Sequence, residues 1–434
     1  MDDASKILSE SNPERNNITY KNKNSKEIKI EKINKKIYYK YKNCFQICNK
    51  MAKNICNCNN YKGKINQNNV KKRNPGVDLA RLIAMFFIIF NHYIYFGEAF
   101  KKYPQYNKYL LPMHNLTDWN NNCFALISGI VGYKTNKYSN LMYLWVMVFF
   151  YSVGIHMFIK IFIKKYIIKH DISIDLFPIV FQRYWYFTAY FGMYLYLPVI
   201  NKGISCLTKY EFRLVVLSIL TILVLWKDFK NPDKDVFNLR GGNSMIWLMT
   251  FYLIGAYIGK YKREYSGIKK YIYCFICLFI YAFPTYIFTR ISNNQSYLGN
   301  RYLTLIIKRI LTKRSDSFFK ISQSISVILF CLQIQYNEYI SKIICFIGRY
   351  TFGVYLIHSH PILIINLLKH IFDNLPNDAS LNSILLLLFL SSIKIFIFCI
   401  IIDYFRDLLF FFLRIRKICI CLETRINQTF ARFE

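Results

Sequence analysis

From about residue 77 onward the apolar residues of this chain come in blocks of roughly 15 to 25, the length that crosses about 30 Å of hydrocarbon. No other feature limits the fold so strongly. Blocks of that length read as membrane-crossing helices. The expected fold class is all-α, a polytopic integral membrane protein of about ten transmembrane helices. By hydropathy the spans fall at about 77–97, 121–134, 141–163, 184–200, 212–227, 244–260, 270–289, 322–336, 349–370 and 382–404. The second, fifth and eighth are short.

Composition narrows the setting. Of 434 residues 54% are hydrophobic, and 58 Lys and Arg against 24 Asp and Glu give a net charge of +34. On a soluble chain that charge would point to nucleic acid. Here the bases sit in loops and tails, so the lipid bilayer and its anionic headgroups are the expected partner and nucleic acid is not. Residues 1–75 hold 18 basic and 6 acidic side chains with little that is apolar, and are expected to be a disordered cytoplasmic tail. Residues 76–410 form the membrane domain and 411–434 a short basic tail. With no cleavable leader in view, the first span is expected to serve as its own signal.

Of the 13 cysteines, Cys123, Cys274, Cys277, Cys331 and Cys399 lie inside spans, where Cys is a small apolar residue. Cys44, Cys48, Cys56 and Cys58 in the tail do not have zinc-finger spacing; they read as reduced thiols or palmitoylation sites, and no metal is expected. The basic N-terminal tail places both termini in the cytoplasm, although the outer loops carry more Lys and Arg than the inner ones. Asn115 and Asn294 head Asn-x-Ser/Thr triplets in loops assigned outside, and Asn427 heads one in the inner tail, so the triplets decide nothing.

The first span carries charge that a membrane helix rarely tolerates without a purpose. In "VDLARLIAMFFIIFNHY", Arg81 and His92 stand eleven residues apart, only about 20° beyond three full helical turns and about 16 Å along the axis. Asp78 lies on the same side, within reach of Arg81. Ala84, Met85 and Ile88 fill the face between them. One helix therefore presents an acid–base pair at one end and an imidazole near the other. The plain alternative is a headgroup-level ion pair and an interhelical hydrogen bond.

"RNPGVDLARLIAMFFIIFNHY" resembles the opening signature of the acyltransferase-3 family, integral-membrane O-acyltransferases that modify glycans and other hydroxyl acceptors. "NNCFALISGIVGYK" (121–134), "YWYFTAYFGMYLYLPVIN" (184–201), "GGNSMIWLMTFYLIGAYIGKY" (241–261), "TFGVYLIHSHPIL" (351–363) and "IDYFRDLLF" (402–410) are similar, in order, to later spans of that family. Two departures stand out. Lys134 and Lys137 occupy positions where relatives often carry arginines, and lysine holds phosphate as a point charge, without a bidentate fork. With about 25 residues after the last match, the esterase-like domain that some relatives append is not expected.

The resemblance implies an acyl-CoA co-substrate, acetyl-CoA first, no bound cofactor, and a hydroxyl acceptor, a glycan by preference. Arg81, braced by Asp78 and joined by Lys134, would hold the CoA phosphates. His92 would act as general base or would itself take the acyl group; the sequence leaves both open. Ser128, Trp185, Tyr190, Tyr355 and His358 are candidates for lining the acceptor cavity, each with a packing or anchoring alternative. Two rival functions stand beside this one: an inactive relative serving as a membrane receptor, and a multi-pass transporter, against which the lack of visible inverted repeats counts.

Overall fold

"RNPG" starts a helix for identifiable reasons. The Asn74 side chain accepts hydrogen bonds from the backbone N–H of Gly76 (2.9 Å) and Val77 (3.3 Å), and Pro75 takes the first helical position, where its missing N–H costs nothing. The helix that follows, α1 (Pro75–Phe96), runs unbroken through the polar stripe.

The structure is a computed structural model, which describes residues 73–163, 172–226, 235, 237–262, 264–293 and 317–431. All belong to the unit Arg73–Glu434. The tail with Cys44, Cys48, Cys56 and Cys58 lies outside the described residues, as does Asn294. After α1 come α2 (Asn120–Gly132), α3 (Tyr138–Phe162), α4 (Trp185–Leu195), α5 (Met245–Tyr261), α6 (Gly267–Asn293), α7 (Phe318–Gln333), α8 (Glu338–Gly348), α9 (Thr351–His358), α10 (Leu381–Phe412) and α11 (Ile415–Phe430). The described residues contain no strand, as the apolar blocks required.

Among the described residues five helical stretches are long and apolar enough to cross a membrane: α1, α3, Gly267–Ile287 of α6, α8 with α9 (Glu338–His358), and α10. The expected count of about ten is not reached among them. Helices α2, α4, α5 and α7 have 13, 11, 17 and 16 residues, and the block at 212–227 is a helix ending in a π-turn segment, Thr221–Trp226. The block expected at 349–370 is displaced: the long apolar stretch begins at Glu338, and the helix stops at His358 before Pro361. Proline cannot donate the bond that would continue it.

Helix α1 is the hub, packing against α2, α7, α8, α9 and α10. Its first half (Val77, Ala80, Ala84) belongs to one buried cluster and its second half (Met85, Ile88, Ile89, Phe90) to another. On the outside, α6 and α10 expose Ile272, Phe275, Phe389, Phe398 and Phe405, as lipid-facing helices do.

Lipid tails are as apolar as leucine, so helices in a bilayer associate through close packing. The pair α2 and α5 shows how. A Cβ on Gly129 would stand 2.0 Å from the carbonyl oxygen of Tyr252, and one on Gly255 2.0 Å from that of Leu126. Gly259 repeats the contact one turn on, at 2.6 Å from the Ile130 oxygen. These obstacles are backbone and cannot rotate away. Gly255→Leu is expected to cost at least about 1–3 kcal/mol and to shift the detergent-solubilised protein from a sharp to an aggregated gel-filtration profile.

Asn115 has a role in this scaffold that its triplet did not announce. It is 4% exposed, and its side-chain oxygen accepts a hydrogen bond from Lys320 at 2.7 Å. It is not presented for glycosylation.

Candidate functional site

Two cavities lie along α1. The first, about 270 Å³, is bordered by Arg73, Arg81, Ser128, Tyr190, Gly348 and Arg349 among others. Its charge arrangement is built around Asp78, which is 1% exposed. Arg73 reaches that carboxylate with two bonds, Nε at 2.8 Å and Nη2 at 2.6 Å, and Arg81 adds a third through Nη1 at 2.5 Å. The side-chain hydrogen bond to Asp78 pushes the Arg73 guanidinium up from its ordinary value, against burial. Arg349, on the turn between α8 and α9, lies over the rings of Phe346 and Tyr350 at 5.3 and 5.9 Å. One carboxylate thus holds two of three guanidiniums at the cavity and leaves a surplus of positive charge. That surplus, with the planar guanidinium of Arg349 held over its two rings and bound to no carboxylate among the described residues, suits phosphate groups.

The second cavity, about 260 Å³, is bordered by Met85, Ile88, His92, Asn121, Arg183, Tyr184, Trp185, Tyr355 and Ser359 among others. Phe124, Tyr186 and Phe352 border both cavities, so these three rings form the partition between them. The Tyr186 hydroxyl is buried there and makes no hydrogen bond among the described residues.

His92 stands in the second cavity with its ring centroid 5.2 Å from that of His358 and 5.3 Å from that of Phe96. Its Nδ1 is buried and has no hydrogen-bond partner among the described residues, so no carboxylate orients it. His358 is held differently. Its Nδ1 lies 2.6 Å from the Val354 carbonyl oxygen. A carbonyl only accepts, so Nδ1 carries the proton and Nε2 keeps its lone pair. That Nε2 accepts from the Ser359 hydroxyl at 3.1 Å.

Two buried polar clusters brace the walls. Asp403, on α10, is fully buried and takes hydrogen bonds from Arg406 Nε (2.8 Å) and the Tyr151 hydroxyl (2.7 Å). Arg406 also donates to the Tyr143 hydroxyl at 2.9 Å. Gly353 of α9 lies directly on this carboxylate. On the far side of the second cavity Asp175 pairs with His156 (2.6 Å) and Arg183 (2.6 Å), and accepts from Ser152 (3.1 Å). His360 is 3.9 Å from the same carboxylate. This cluster fixes the segment that carries Tyr184 and Trp185 into the cavity wall. Among the described residues no group of His, Cys, Asp and Glu is arranged to hold a metal ion.

The expected site residues are therefore distributed as follows. The Asp78–Arg81 pair forms, and Met85, Ile88 and His92 open onto one cavity as their shared face requires. Trp185 and Tyr355 border the second cavity, whereas Ser128 and Tyr190 border the first. His358 lies fully buried behind Ser359. Lys134 borders neither cavity: it sits past the end of α2, exposed, with its Nζ 5.4 Å from the ring of Tyr133. Arg73, Arg349, Ser359 and the Asp175 cluster were not singled out by sequence reasoning. For Asp403 and Arg406 a signal existed, since they repeat the Asp-x-x-Arg spacing of Asp78 and Arg81.

The model of a family described as an acyltransferase domain, acyltransferase-3, matches residues 74–404. No curated protein and no solved structure matches the chain.

Proposed function

Since the chain belongs to the acyltransferase-3 family, we propose that it transfers an acyl group, acetyl first, from acyl-CoA to a hydroxyl of a glycan or similar acceptor within the membrane. The observation that carries this reading is the pair of cavities meeting at one partition, guanidiniums on one side and His92 on the other. Acyl-CoA has the matching form. Its phosphates sit at one end of a pantetheine arm of roughly 15 to 20 Å, close to the approximately 16 Å that separates Arg81 from His92 along α1.

In this reading the phosphates dock at the cytoplasmic end of α1, on Arg81, Arg73 and Arg349. Asp78 holds the first two in place by charge-assisted hydrogen bonds. The arm passes Phe124, Tyr186 and Phe352, where the unpaired Tyr186 hydroxyl offers a hydrogen bond to its amides. The thioester then lies beside His92. The acceptor hydroxyl enters the second cavity against Trp185 and Tyr355, and His92 takes its proton as the new ester bond forms. The binding energy on the phosphates holds the reacting carbonyl in place, which is where much of the rate of such a transfer originates.

The test is transfer of label from [14C]acetyl-CoA to lipid and glycan fractions in membranes containing the protein. Arg81→Gln and Arg349→Gln are each expected to raise the KM for acetyl-CoA about 10-fold or more, as loss of one charge-assisted contact does, with kcat largely recovered at saturating donor. Absence of label with the folded wild-type protein would favour the inactive-relative or transporter reading.

A further inference from the structure

Ser359 and His358 are not used by the mechanism above, yet they form a nucleophile–base pair at the wall of its reaction cavity. Ser359 borders the cavity that His92 borders. Its hydroxyl donates to His358 Nε2 at 3.1 Å, and His358 Nδ1 is fixed in its protonated form by the Val354 carbonyl at 2.6 Å. A nucleophile, a base with its lone pair on the hydroxyl, and a third group orienting that base make up the arrangement that activates serine. The backbone favours presentation as well. The helix ends at His358, and Ser359 has φ −88° and ψ 5°, the bridge region in which many active-site residues sit. His92 is close by, its ring centroid 5.2 Å from that of His358.

We propose that Ser359 is a transient acyl carrier and that the transfer proceeds in two half-reactions. This rests on the acyl-CoA reading above. In the first half, Ser359 Oγ attacks the thioester carbonyl and its proton passes to His358 Nε2. The C–S bond breaks, an ester bond to Oγ forms, and the CoA thiolate leaves with the proton from His358. In the second half the acceptor oxygen attacks the Ser359 ester while His92 takes the acceptor proton. The C–Oγ bond breaks, and that proton returns to Oγ through the paired imidazoles. CoA thiol and the acylated acceptor are the only net products.

Two histidines at this site then have separate tasks, His92 lining the cavity and His358 buried behind Ser359. His358 serves the serine, fixed by its tautomer. His92, with no partner on Nδ1, serves the incoming acceptor.

The experiment uses the full-length protein in membranes with [14C]acetyl-CoA. It follows release of CoA thiol, label in acceptor fractions, and acetylation of the peptide holding Ser359 by mass spectrometry after acid quench. Expected is an acetyl group on Ser359 in the wild type that accumulates in His92→Ala, where the second half is blocked. Ser359→Ala should lower transfer at least 100-fold while acetyl-CoA still protects the protein against thermal aggregation. Ser359→Cys should carry label that neutral hydroxylamine removes, which distinguishes chemistry from a folding defect. Transfer by Ser359→Ala at the wild-type rate, or His92→Ala with no acetyl on Ser359 while wild-type transfer persists, overturns the carrier and leaves the acyltransferase reading standing. No CoA release and no label with the folded wild-type protein overturns both.

Discussion

Replacing His92 by alanine should lower acyl transfer by about 10²- to 10⁴-fold, the range a positioned general base contributes, with no rise in the KM for acyl-CoA. The separation of the two effects follows from the geometry. The charged cavity around Arg81 and the cavity around His92 touch only through Phe124, Tyr186 and Phe352. In the acyl-CoA reading proposed above, phosphate binding is therefore independent of the imidazole. Removing His92 leaves a space among Met85, Ile88 and Phe96 and exposes no new charge, so folding should be retained. His92→Gln tests the same point with a side chain of similar size that cannot take up a proton. Steady-state rates against acetyl-CoA concentration check both. A KM that rose in step with the loss of kcat would show that His92 binds the donor and does not act on the acceptor.

The second large effect is expected at a glycine that touches no substrate. A Cβ at residue 353 would lie 2.0 Å from Cγ of Asp403 and 2.2 and 2.4 Å from its two carboxylate oxygens. That carboxylate cannot retreat, because Arg406 and Tyr151 hold it and it is fully buried. Gly353→Ala must push α9 off α10 or break the ion pair. Breaking a buried pair by displacing one partner costs about 3–5 kcal/mol. Helix α9 also carries Phe352, Tyr355 and His358, so its displacement should disturb both cavities together. The expected outcome is a large fall in melting temperature in detergent and loss of transfer. Gly154 provides the control. It lies mid-helix with nothing within 4 Å of an added Cβ, so Gly154→Ala should be neutral or stabilising by up to about 1 kcal/mol. Equal losses from both substitutions would mean that the Gly353–Asp403 contact has no special weight.

How far the sequence reached can be judged from α1 and α9. The start of α1, its polar stripe and its shared face follow from local rules: Asn74 and Pro75 set the beginning, and the helical period sets the rest. The resemblance then supplied the family, which the match over 74–404 shows. Partners brought together only by folding were not legible. Arg73 and Arg349 reach one cavity from positions 276 residues apart in the chain (349 − 73), and nothing near either residue marks it as part of a set. The Asp175 cluster is similar, drawing on α3, the segment before α4, and His360. Span counting reached its limit for a physical reason. Hydropathy sees apolar content, but in α2 and α5 that content serves helices packed backbone to backbone through Gly129 and Gly255, and these fall below the roughly 20 residues of a typical span. At residue 359 the apolar run continues past the point where Pro361 ends the helix, so the expected span was placed too far along the chain.

The partition of Phe124, Tyr186 and Phe352 bears on a hazard that any protein of this kind faces. A passage that admits an acyl arm from one side and an acceptor from the other is, if left open, a hole in an energised membrane. Each charge crossing 100 mV dissipates about 2.3 kcal/mol. Three aromatic rings separate a guanidinium-lined vestibule from one that holds the imidazole of His92, and positive charge in the first opposes the entry of protons and metal cations. In the proposed orientation the arm of the donor would itself be the plug whenever the rings part. Group transfer could then proceed across the barrier without running down the ion gradients on which the cell depends.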